Sequence, residues 1–420
     1  MILAFFICLS QSCISIGDSH PNEIQEIVTT WKEISGYQGN EDDTDTIIEA
    51  WQILSEQFVD KSDIDAKTMK SFAIQAMLNF SQDEPRSETF PDDLRHAAIT
   101  GMLNSLDDPY STYLKPSRYD MFVGDIKGSF EGIGATVGSK DGNITIINLI
   151  DEAPAESAGV LPGDIIKSVN GEPTQGWSIL DTVLKIRGPK GTIVEIGILR
   201  PDTDQIHTLS VVRDLIHIES LEWKVLEDNI LYIKLRSFSE TTDEDFVEAL
   251  GESAKYNPSG LVLDLRHNSG GLLSSTINIA SQLIQEGMVF YILDSDKQKT
   301  EYTVNENPDH YTNYFINPVV VLIDEFSASA SEVLAGALQD HERATIMGSS
   351  TFGKGSANLN VGLSDGSGIY FTIARWYTPD GNIIEGKGLK PDFLVIDEID
   401  DNIDVVLNTA KEYLLDKIYE

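Results

Sequence analysis

Residues 319–338 read VVVLIDEFSASASEVLAGAL, and this stretch decides how the second half of the chain folds. The apolar run 319–323 is typical of a strand in a parallel sheet, where both faces are covered. Small residues follow it, and apolar side chains then recur at helical spacing over 330–340. The stretch therefore predicts a buried strand, a short turn that contains Ser329, and a helix, which is the repeating pattern of an α/β fold.

Other parts of the second half repeat this pattern. The runs 231–235 and 261–265 are nearly all apolar, whereas 242–256 and 272–285 have helical spacing. Strands that alternate with helices predict a mixed α/β core. We assign residues 216–420 to this core.

The first half of the chain shows two different patterns. Over 44–103 apolar residues recur at helical spacing, interrupted at 81–93 by a polar segment with two prolines that we interpret as a loop. Short alternating strands with turn signals, among them Asn170-Gly171, follow further along. We therefore predict a helical region at 21–117 and a β-rich domain at 118–215.

Composition excludes several classes of function. The 420 residues are enough for two or three domains, and the 68 acidic against 30 basic residues give a formal charge of −38. Such a charge opposes binding to nucleic acid, so we expect no nucleic-acid partner. Both cysteines, Cys8 and Cys13, precede the folded body, and the histidines form no His-Glu-x-x-His motif. We therefore expect neither a catalytic thiol nor a metal nor an organic cofactor.

The N-terminal segment indicates export. Residues 1–9 are mostly apolar and are followed by small and polar residues, as in the core of a secretory signal. The run is too short for a comfortable transmembrane helix. We expect an exported protein on the periplasmic or cell-envelope side, with 1–20 as a signal-like or anchor segment. Two alternatives stay open: a plain buried segment, and a membrane tether through a lipid on Cys13.

Ser329 is the candidate nucleophile. A strand that ends in small residues and opens a helix gives a serine an exposed hydroxyl and places backbone N–H groups beside it. Helix-capping serines are the alternative interpretation of the same run.

Lys354 is the candidate base, in the segment TFGKGS at 351–356. A lysine between two glycines lies close to backbone with little crowding, and one that loses its hydration can accept a proton from a serine. A lysine on a surface loop is the alternative.

The segment 130–213 resembles a PDZ domain. The resemblance is carried by GIGA at 132–135, APA at 153–155, AGV at 158–160, GD at 163–164 and VNG at 169–171. It implies that Gly132, Ile133, Gly134 and Ala135 form the loop whose N–H groups bind a terminal carboxylate, while a strand edge pairs with the peptide. The implied ligand is a protein or peptide with a free C-terminus. The alternative is a PDZ-like fold that only packs against its neighbour.

Residues 47–395 as a whole resemble the carboxyl-terminal processing peptidases, also called tail-specific proteases. The motifs that carry this resemblance are LDDPYS at 106–111, DLRHNSGGLL at 264–273, SASAS at 327–331, FGKG at 352–355, TIARWYTPDG at 372–381 and GLKPD at 388–392. The resemblance implies a serine endopeptidase with an α/β core of the kind this family shares with crotonase-like folds. It also allows for a regulatory protein partner and for an oligomer, and the sequence decides neither.

The resemblance assigns roles to individual residues. It makes Ser329 the nucleophile and Lys354 the base, and it builds the oxyanion hole from the amide of Ala330 and an amide of Gly270 or Gly271. Where the family commonly has a glutamine that orients the lysine, this chain has Asn358. Asparagine carries the same amide on a side chain one methylene shorter, so the departure puts the catalytic rate in question more than the mechanism.

Other motifs in the chain compete with these assignments. Residues 362–366, GLSDG, match a nucleophile elbow formally, but the strand-like segment 369–373 follows, so we predict a hairpin turn. His267 beside the glycine pair could suggest a triad, although Lys354 already fills the role of base. One rival function is a non-catalytic protein that binds C-terminal tails, and Asn358 is its best support. The other is a small-molecule esterase or amidase, against which the PDZ domain argues.

Overall fold

The structure is a computed structural model. It describes residues 21–37, 44–126, 128–140, 143–150, 152–175, 177, 179–200, 206–217, 219–305, 317–396 and 404–419. The predicted signal-like segment, 1–20, lies outside the described residues.

Helices and strands alternate along most of the chain. The helices are α1 Pro21–Ser35, α2 Asp45–Gln57, α3 Ala66–Asp83, α4 Phe90–Asn104, α5 Pro116–Ile126, α6 Pro154–Ser157, α7 Ile179–Ile186, α8 Thr242–Ser253, α9 Leu273–Leu283, α10 Ala330–Asp340 and α11 Val405–Tyr419. The strands are β1 Thr112–Leu114, β2 Ser129–Gly132, β3 Ala135–Lys140, β4 Asn143–Leu149, β5 Ile165–Val169, β6 Glu172–Pro173, β7 Ile193–Leu199, β8 Ile206–Val212, β9 Asp214–His217, β10 Leu221–Val225, β11 Ile230–Leu235, β12 Gly260–Asp264, β13 Met288–Asp294, β14 Lys299–Thr303, β15 Val319–Ile323, β16 Thr345–Gly348, β17 Ser356–Gly362, β18 Gly368–Tyr377 and β19 Phe393–Leu394. Among the helices just given, none is long and apolar enough to cross a bilayer.

The described residues form two compact units, one drawn from 21–115 and 358–374 and the other drawn from 116–357 and 375–419. In the first unit, α1 to α4 pack around a shared apolar core. Its buried members include Trp31, Trp51, Leu54, Met69, Met77, Leu94, Ile369 and Phe371. The predicted helical region is confirmed, but the predicted loop 81–93 is too long, because α3 runs to Asp83 and α4 already begins at Phe90. Pro91 lies in the first turn of α4, where a missing N–H costs nothing.

A hairpin turn of the first unit carries the GLSDG sequence. The N–H of Leu363 donates to the carbonyl of Ser367 at 2.7 Å, and the strand β18 follows, as the sequence predicts. The carboxylate of Asp365 lies 3.5 Å from Nε of Arg95 and 3.6 Å from Nε2 of His96. These contacts hold the turn against α4.

The PDZ-like part of the second unit is a sheet in the order β3-β4-β5-β7-β8, so β3 is an edge strand of that sheet. Helix α7 packs next to β3. Asn170 and Gly171 have φ values of 49° and 79°, which is the conformation of a type I′ turn, and they join β5 to β6 as predicted. The core of this part consists of Ile133, Ile146, Ile166, Val169, Val194, Ile196 and Ile198, with smaller neighbours.

The α/β core contains a six-stranded sheet in the order β10-β11-β12-β15-β16-β19, parallel except for the edge strand β10. Strand β15 explains why its sequence is apolar throughout. Val319, Val321 and Ile323 belong to the apolar cluster that includes residues of α8, α9 and α10, whereas Val320 and Leu322 belong to the cluster that includes residues of α11. Because β12 and β15 are parallel neighbours, the loops that leave their carboxyl ends lie side by side.

Candidate active site

The turn between β15 and α10 is organised by Asp324. Its Oδ1 accepts the N–H of Phe326 and the N–H of Ser327, each at 3.0 Å. The carboxylate also accepts the N–H of His267, at 3.0 and 3.1 Å from its two oxygens. The hydroxyl of Ser327 donates to the carbonyl of Leu265 at 2.9 Å. The turn that leads to Ser329 is thus tied to the loop that leaves β12.

Ser329 stands at the start of α10 in a rarely populated backbone conformation. Its φ is 55° and its ψ is −115°, and its side chain is half-buried. A residue other than glycine at such a φ costs on the order of 1–3 kcal/mol and persists only where the surroundings hold it. A sharp strand-to-helix turn of this kind presents a serine hydroxyl away from the backbone. The next residue, Ala330, is fully buried and begins the helix, so its N–H is one of those that have no partner within the helix.

Gly270 lies directly against this turn, and the next residue, Gly271, lies against the backbone of Phe238. A Cβ on Gly270 would meet Cβ of Ser329 at 2.8 Å and N of Ala330 at 2.9 Å. The N–H of Gly270 donates to Oδ1 of Asn268 at 2.8 Å, and its carbonyl accepts the N–H of Phe238 at 3.1 Å. The N–H of Gly271 takes part in neither of these bonds. The structure therefore brings Gly270, Ser329 and Ala330 together, with Gly271 next to Gly270 in the chain.

Glu332, in the first turn of α10, joins Ser329 to the segment that holds Lys354. Its Oε2 accepts the N–H of Ser329 at 2.8 Å and the N–H of Lys354 at 3.0 Å. Its Oε1 accepts the N–H of Gly353 at 2.7 Å and the hydroxyl of Thr351. The side chain is fully buried, and burial raises the pKa of the Glu332 carboxyl while these four hydrogen bonds oppose the rise.

Sequence reasoning did not single out Glu332. A signal was present, because Ser329 and Glu332 have the Ser-x-x-Glu spacing of a capping box, in which the glutamate accepts the N–H of the residue that caps the helix. That spacing gives no information about the bonds to Thr351, Gly353 and Lys354, which lie about twenty residues further along the chain.

The backbone of 351–355 is held on several sides. The N–H of Phe352 donates to the carbonyl of Ser327 at 3.0 Å, and Nε1 of Trp376 donates to the carbonyl of Lys354 at 2.9 Å. Gly353 has a φ of 91°, and a Cβ there would meet N of Gly388 at 2.9 Å. The side chain of Lys354 is half-buried. The glycines on either side of the lysine are thus places of close backbone approach.

Asn358 lies at the start of the part of β17 that belongs to the first unit. Its Nδ2 donates to the carbonyl of Tyr110 and to Oγ1 of Thr372, both at 3.2 Å. The hydroxyl of Thr372 donates in turn to Oδ2 of Asp108 at 2.6 Å. The LDDPYS motif therefore fixes the amide of Asn358. Its predicted role beside Lys354 stays a prediction.

The predicted peptide-binding residues lie at the open edge of the PDZ sheet. Ile133 is buried, and its carbonyl accepts the N–H of Ala155 at 2.8 Å. Gly134 has a φ of 74°, and a Cβ there would meet Cβ of Ala153 at 2.3 Å. Gly132 ends β2, and Ala135 begins the edge strand β3. Among the described strands only β4 pairs with β3 in this sheet, so the loop leads into an edge strand with α7 next to it.

His267 has a partner of its own. Its Nδ1 lies 2.9 Å from Oδ2 of Asp324, and its ring packs against Phe326. With 68% of the side chain exposed, it is a solvated histidine on a loop. Over the part of the chain that the structure describes, no group of three or more histidine, cysteine or acidic side chains is arranged to hold a metal ion.

Comparisons with known proteins agree with this arrangement. Residues 229–395 match peptidase family S41, and residues 123–199 match the PDZ domain family. The chain is 38% identical over 318 residues to the carboxy-terminal processing protease CtpA of Bacillus subtilis strain 168, covering 75% of this chain and 67% of that protein. It is 36% identical over 316 residues to the carboxy-terminal-processing protease of Bartonella bacilliformis, covering 73% of this chain and 71% of that protein.

A solved structure shares the fold. The photosystem II D1 C-terminal processing protease superposes with a TM-score of 0.53 at 30% identity, over 85% of this chain and 94% of the other. Together, these matches confirm the PDZ domain and the α/β protease core that the sequence predicts. The chain belongs to peptidase family S41, the carboxy-terminal processing proteases, which are serine-type peptidases.

Proposed function

We propose that this chain is a serine endopeptidase that cleaves with a dyad of Ser329 and Lys354. The observation that carries the proposal is that one buried carboxylate, Glu332, accepts the backbone N–H of both residues. Glu332 thereby holds the strained turn of Ser329 and the glycine-flanked segment of Lys354 in fixed positions. Fixed geometry of this kind is what nucleophilic catalysis requires.

The proposed reaction has two halves. Oγ of Ser329 attacks the carbonyl carbon of the scissile bond while its proton passes to Nζ of neutral Lys354. The tetrahedral intermediate collapses to an acyl-enzyme, and the leaving amine takes the proton back from Lys354. Water then attacks the ester, with Lys354 again as base, and releases the acid and free Ser329.

The oxyanion of each intermediate needs N–H donors. Ala330 is one donor in this proposal, since its N–H is a first-turn helix amide beside Ser329. Of the two glycines that the sequence leaves open, we favour Gly271 as the second donor. The N–H of Gly270 is already donated to Asn268, and its role is to allow the close approach to Ser329.

Asn358 is proposed to orient Lys354 through its Oδ1. Its Nδ2 donates to Tyr110 and Thr372, and the carbonyl oxygen of an amide is the atom suited to accept from an ammonium group. Because two hydrogen bonds from Nδ2 already hold the side chain of Asn358, it loses little conformational entropy when it binds the lysine.

The PDZ domain is proposed to capture the free C-terminus of a protein or peptide substrate. The supporting observation is the loop 132–135 next to the edge strand β3, with α7 alongside. Backbone N–H groups would bind the terminal carboxylate, and the strand edge would pair with the tail. Export to the periplasmic or cell-envelope side remains a proposal as well.

The test is cleavage of an unfolded protein that ends in an apolar residue, by the purified chain and by Ser329→Ala, Lys354→Ala and Lys354→Arg. Arginine keeps the positive charge but cannot act as a base. Lys354→Arg therefore shows the effect of losing proton transfer without the loss of the charge. We expect cleavage to fall to background in all three variants and to weaken when the substrate C-terminus is amidated. Cleavage by Lys354→Arg at the wild-type rate would contradict the dyad. Binding of the tail without any cleavage would favour the non-catalytic alternative.

A further inference from the structure

Glu332 forms more hydrogen bonds outside its own helix than a helix cap needs. A capping glutamate accepts the N–H of the capping residue, and Glu332 does so with Ser329. Its other three bonds come from Thr351, Gly353 and Lys354, in the segment that carries the proposed base. Stabilisation of α10 alone accounts for one bond of the four.

The arrangement uses the carboxylate fully. Two oxygens provide about four lone-pair sites, and four donors occupy them, two on each oxygen. The side chain is fully buried, and a buried charged group is tolerated when its hydrogen bonds are complete. Thr351 is itself fixed, because its Oγ1 accepts the N–H of Leu389 at 2.6 Å.

The hydrogen bonds of Oε2 indicate what Glu332 does in the site. This one atom lies 2.8 Å from N of Ser329 and 3.0 Å from N of Lys354. It therefore fixes the separation of the two backbones from which the nucleophile and the base extend. It also binds the N–H of the residue whose φ of 55° needs support from its surroundings.

We infer that Glu332 is a positioning residue, which sets the distance between Ser329 and Lys354 by binding the backbone N–H groups of both. The inference rests on the proposed Ser/Lys function. The carboxylate of Glu332 binds three backbone N–H groups and the hydroxyl of Thr351, so its loss acts on the alignment of the dyad. Misplacement by about 1 Å lowers a catalytic rate on the order of 100-fold.

The experiment compares Glu332→Gln with the wild-type chain in cleavage of a peptide substrate, measuring kcat and KM separately. In Glu332→Gln the new amide nitrogen cannot accept from the two donors that it faces, whereas size and shape are kept. We expect kcat to fall on the order of 100-fold with KM within about threefold, because the tail-binding groove is not altered. Glu332→Asp keeps the charge but is one methylene too short to reach both segments, and should lose activity as well.

Leu338→Ala, two turns further along α10, is the matched control for loss of stability. Leu338 is fully buried in the core and takes no part in the hydrogen bonds of Glu332. We expect it to lower the unfolding temperature while kcat at low temperature stays near that of the wild type. If Glu332→Gln does not fold, Thr351→Val and Thr351→Ser replace it. Valine removes one donor to the carboxylate and should lower kcat roughly tenfold, and serine should restore it.

Three results would overturn the positioning role of Glu332. A wild-type kcat in folded Glu332→Gln, or a wild-type kcat in Thr351→Val, overturns it. So does a fall in kcat of equal size in Leu338→Ala, since that would trace the effect to stability alone. Failure of the proposed Ser/Lys function would give a different result, because Ser329→Ala would then retain cleavage.

Discussion

Replacement of Gly270 by alanine tests the contact between the glycine pair and the nucleophile turn. The new Cβ would lie 2.7 Å from O of Ala328, 2.8 Å from Cβ of Ser329 and 2.9 Å from N of Ala330. Contacts under 3.0 Å essentially never occur at a real Cβ, and two of these three atoms are backbone. The turn that holds Ser329 must therefore shift.

The size of the fall in kcat can be estimated from these distances. Relief of the Ser329 contact from 2.8 Å to an ordinary 3.4 Å requires a displacement of about 0.6 Å. Because about 1 Å of misplacement lowers a catalytic rate on the order of 100-fold, we expect kcat to fall on the order of tenfold to a hundredfold. The φ of 101° at Gly270 adds a loss of stability of about 1–3 kcal/mol.

The assay measures kcat for a peptide substrate and the free energy of unfolding in urea. Gly163→Ala is the matched control, since Gly163 has a φ of 93° and no atom lies within 4 Å of the Cβ it would gain. It should lose stability through its backbone conformation and keep its kcat. A wild-type kcat in Gly270→Ala would refute the placement of the glycine pair against Ser329. Equal losses of kcat in both variants would refute the steric reasoning.

Three further predictions concern other parts of the chain. Burial opposes ionisation of Asp365, but His96, at 3.6 Å, and hydrogen bonds from Ser367 outweigh it and hold the pKa of its carboxyl at about 2, below the usual 3.8. Because the pKa of Asp365 is lower in the folded chain, its ionised carboxylate stabilises the fold above pH 3.8, and this stabilisation is lost as the pH falls towards 2. Asp365→Asn should therefore lower the free energy of unfolding in urea by about 2 kcal/mol at pH 7 and by much less near pH 2. Equal losses at both pH values would contradict this prediction. Gly134→Val, whose Cβ would meet Ala153 at 2.3 Å, should raise KM for substrates with a free tail and leave kcat nearly unchanged, whereas an unaltered KM would argue against tail capture by this loop. A metal chelator should leave cleavage unchanged, and inhibition that added zinc reverses would contradict the expected metal-free mechanism.

Sequence reasoning found the elements whose signals are local. The limits of β15 and α10 agree with the predicted 319–323 and 330–340, because an apolar run and a helical period are read from neighbouring residues. The Asn170-Gly171 turn was predictable for the same reason, since the residue types alone favour positive φ at both positions.

Contacts between distant segments could not be predicted in this way. Glu332 is one of two acids in the mostly apolar helix α10, and its importance appears only when residues 351–354 fold against it. The amide of Asn358 donates to Tyr110, which lies 248 residues earlier in the chain. The loop at 81–93 was drawn too long because prolines usually mark breaks, whereas Pro91 lies in the first turn of α4.

We propose that Ser329 forms a covalent acyl-enzyme with Lys354 as its base. The most direct measurement is the mass of the peptide that contains Ser329, after cleavage is stopped with acid during turnover. We predict that this peptide gains the mass of the acyl part of the substrate in the wild-type chain, and that it gains nothing in Ser329→Ala or in Lys354→Arg. Undiminished cleavage by Ser329→Ala, or an adduct on another residue in all three proteins, would contradict the claim.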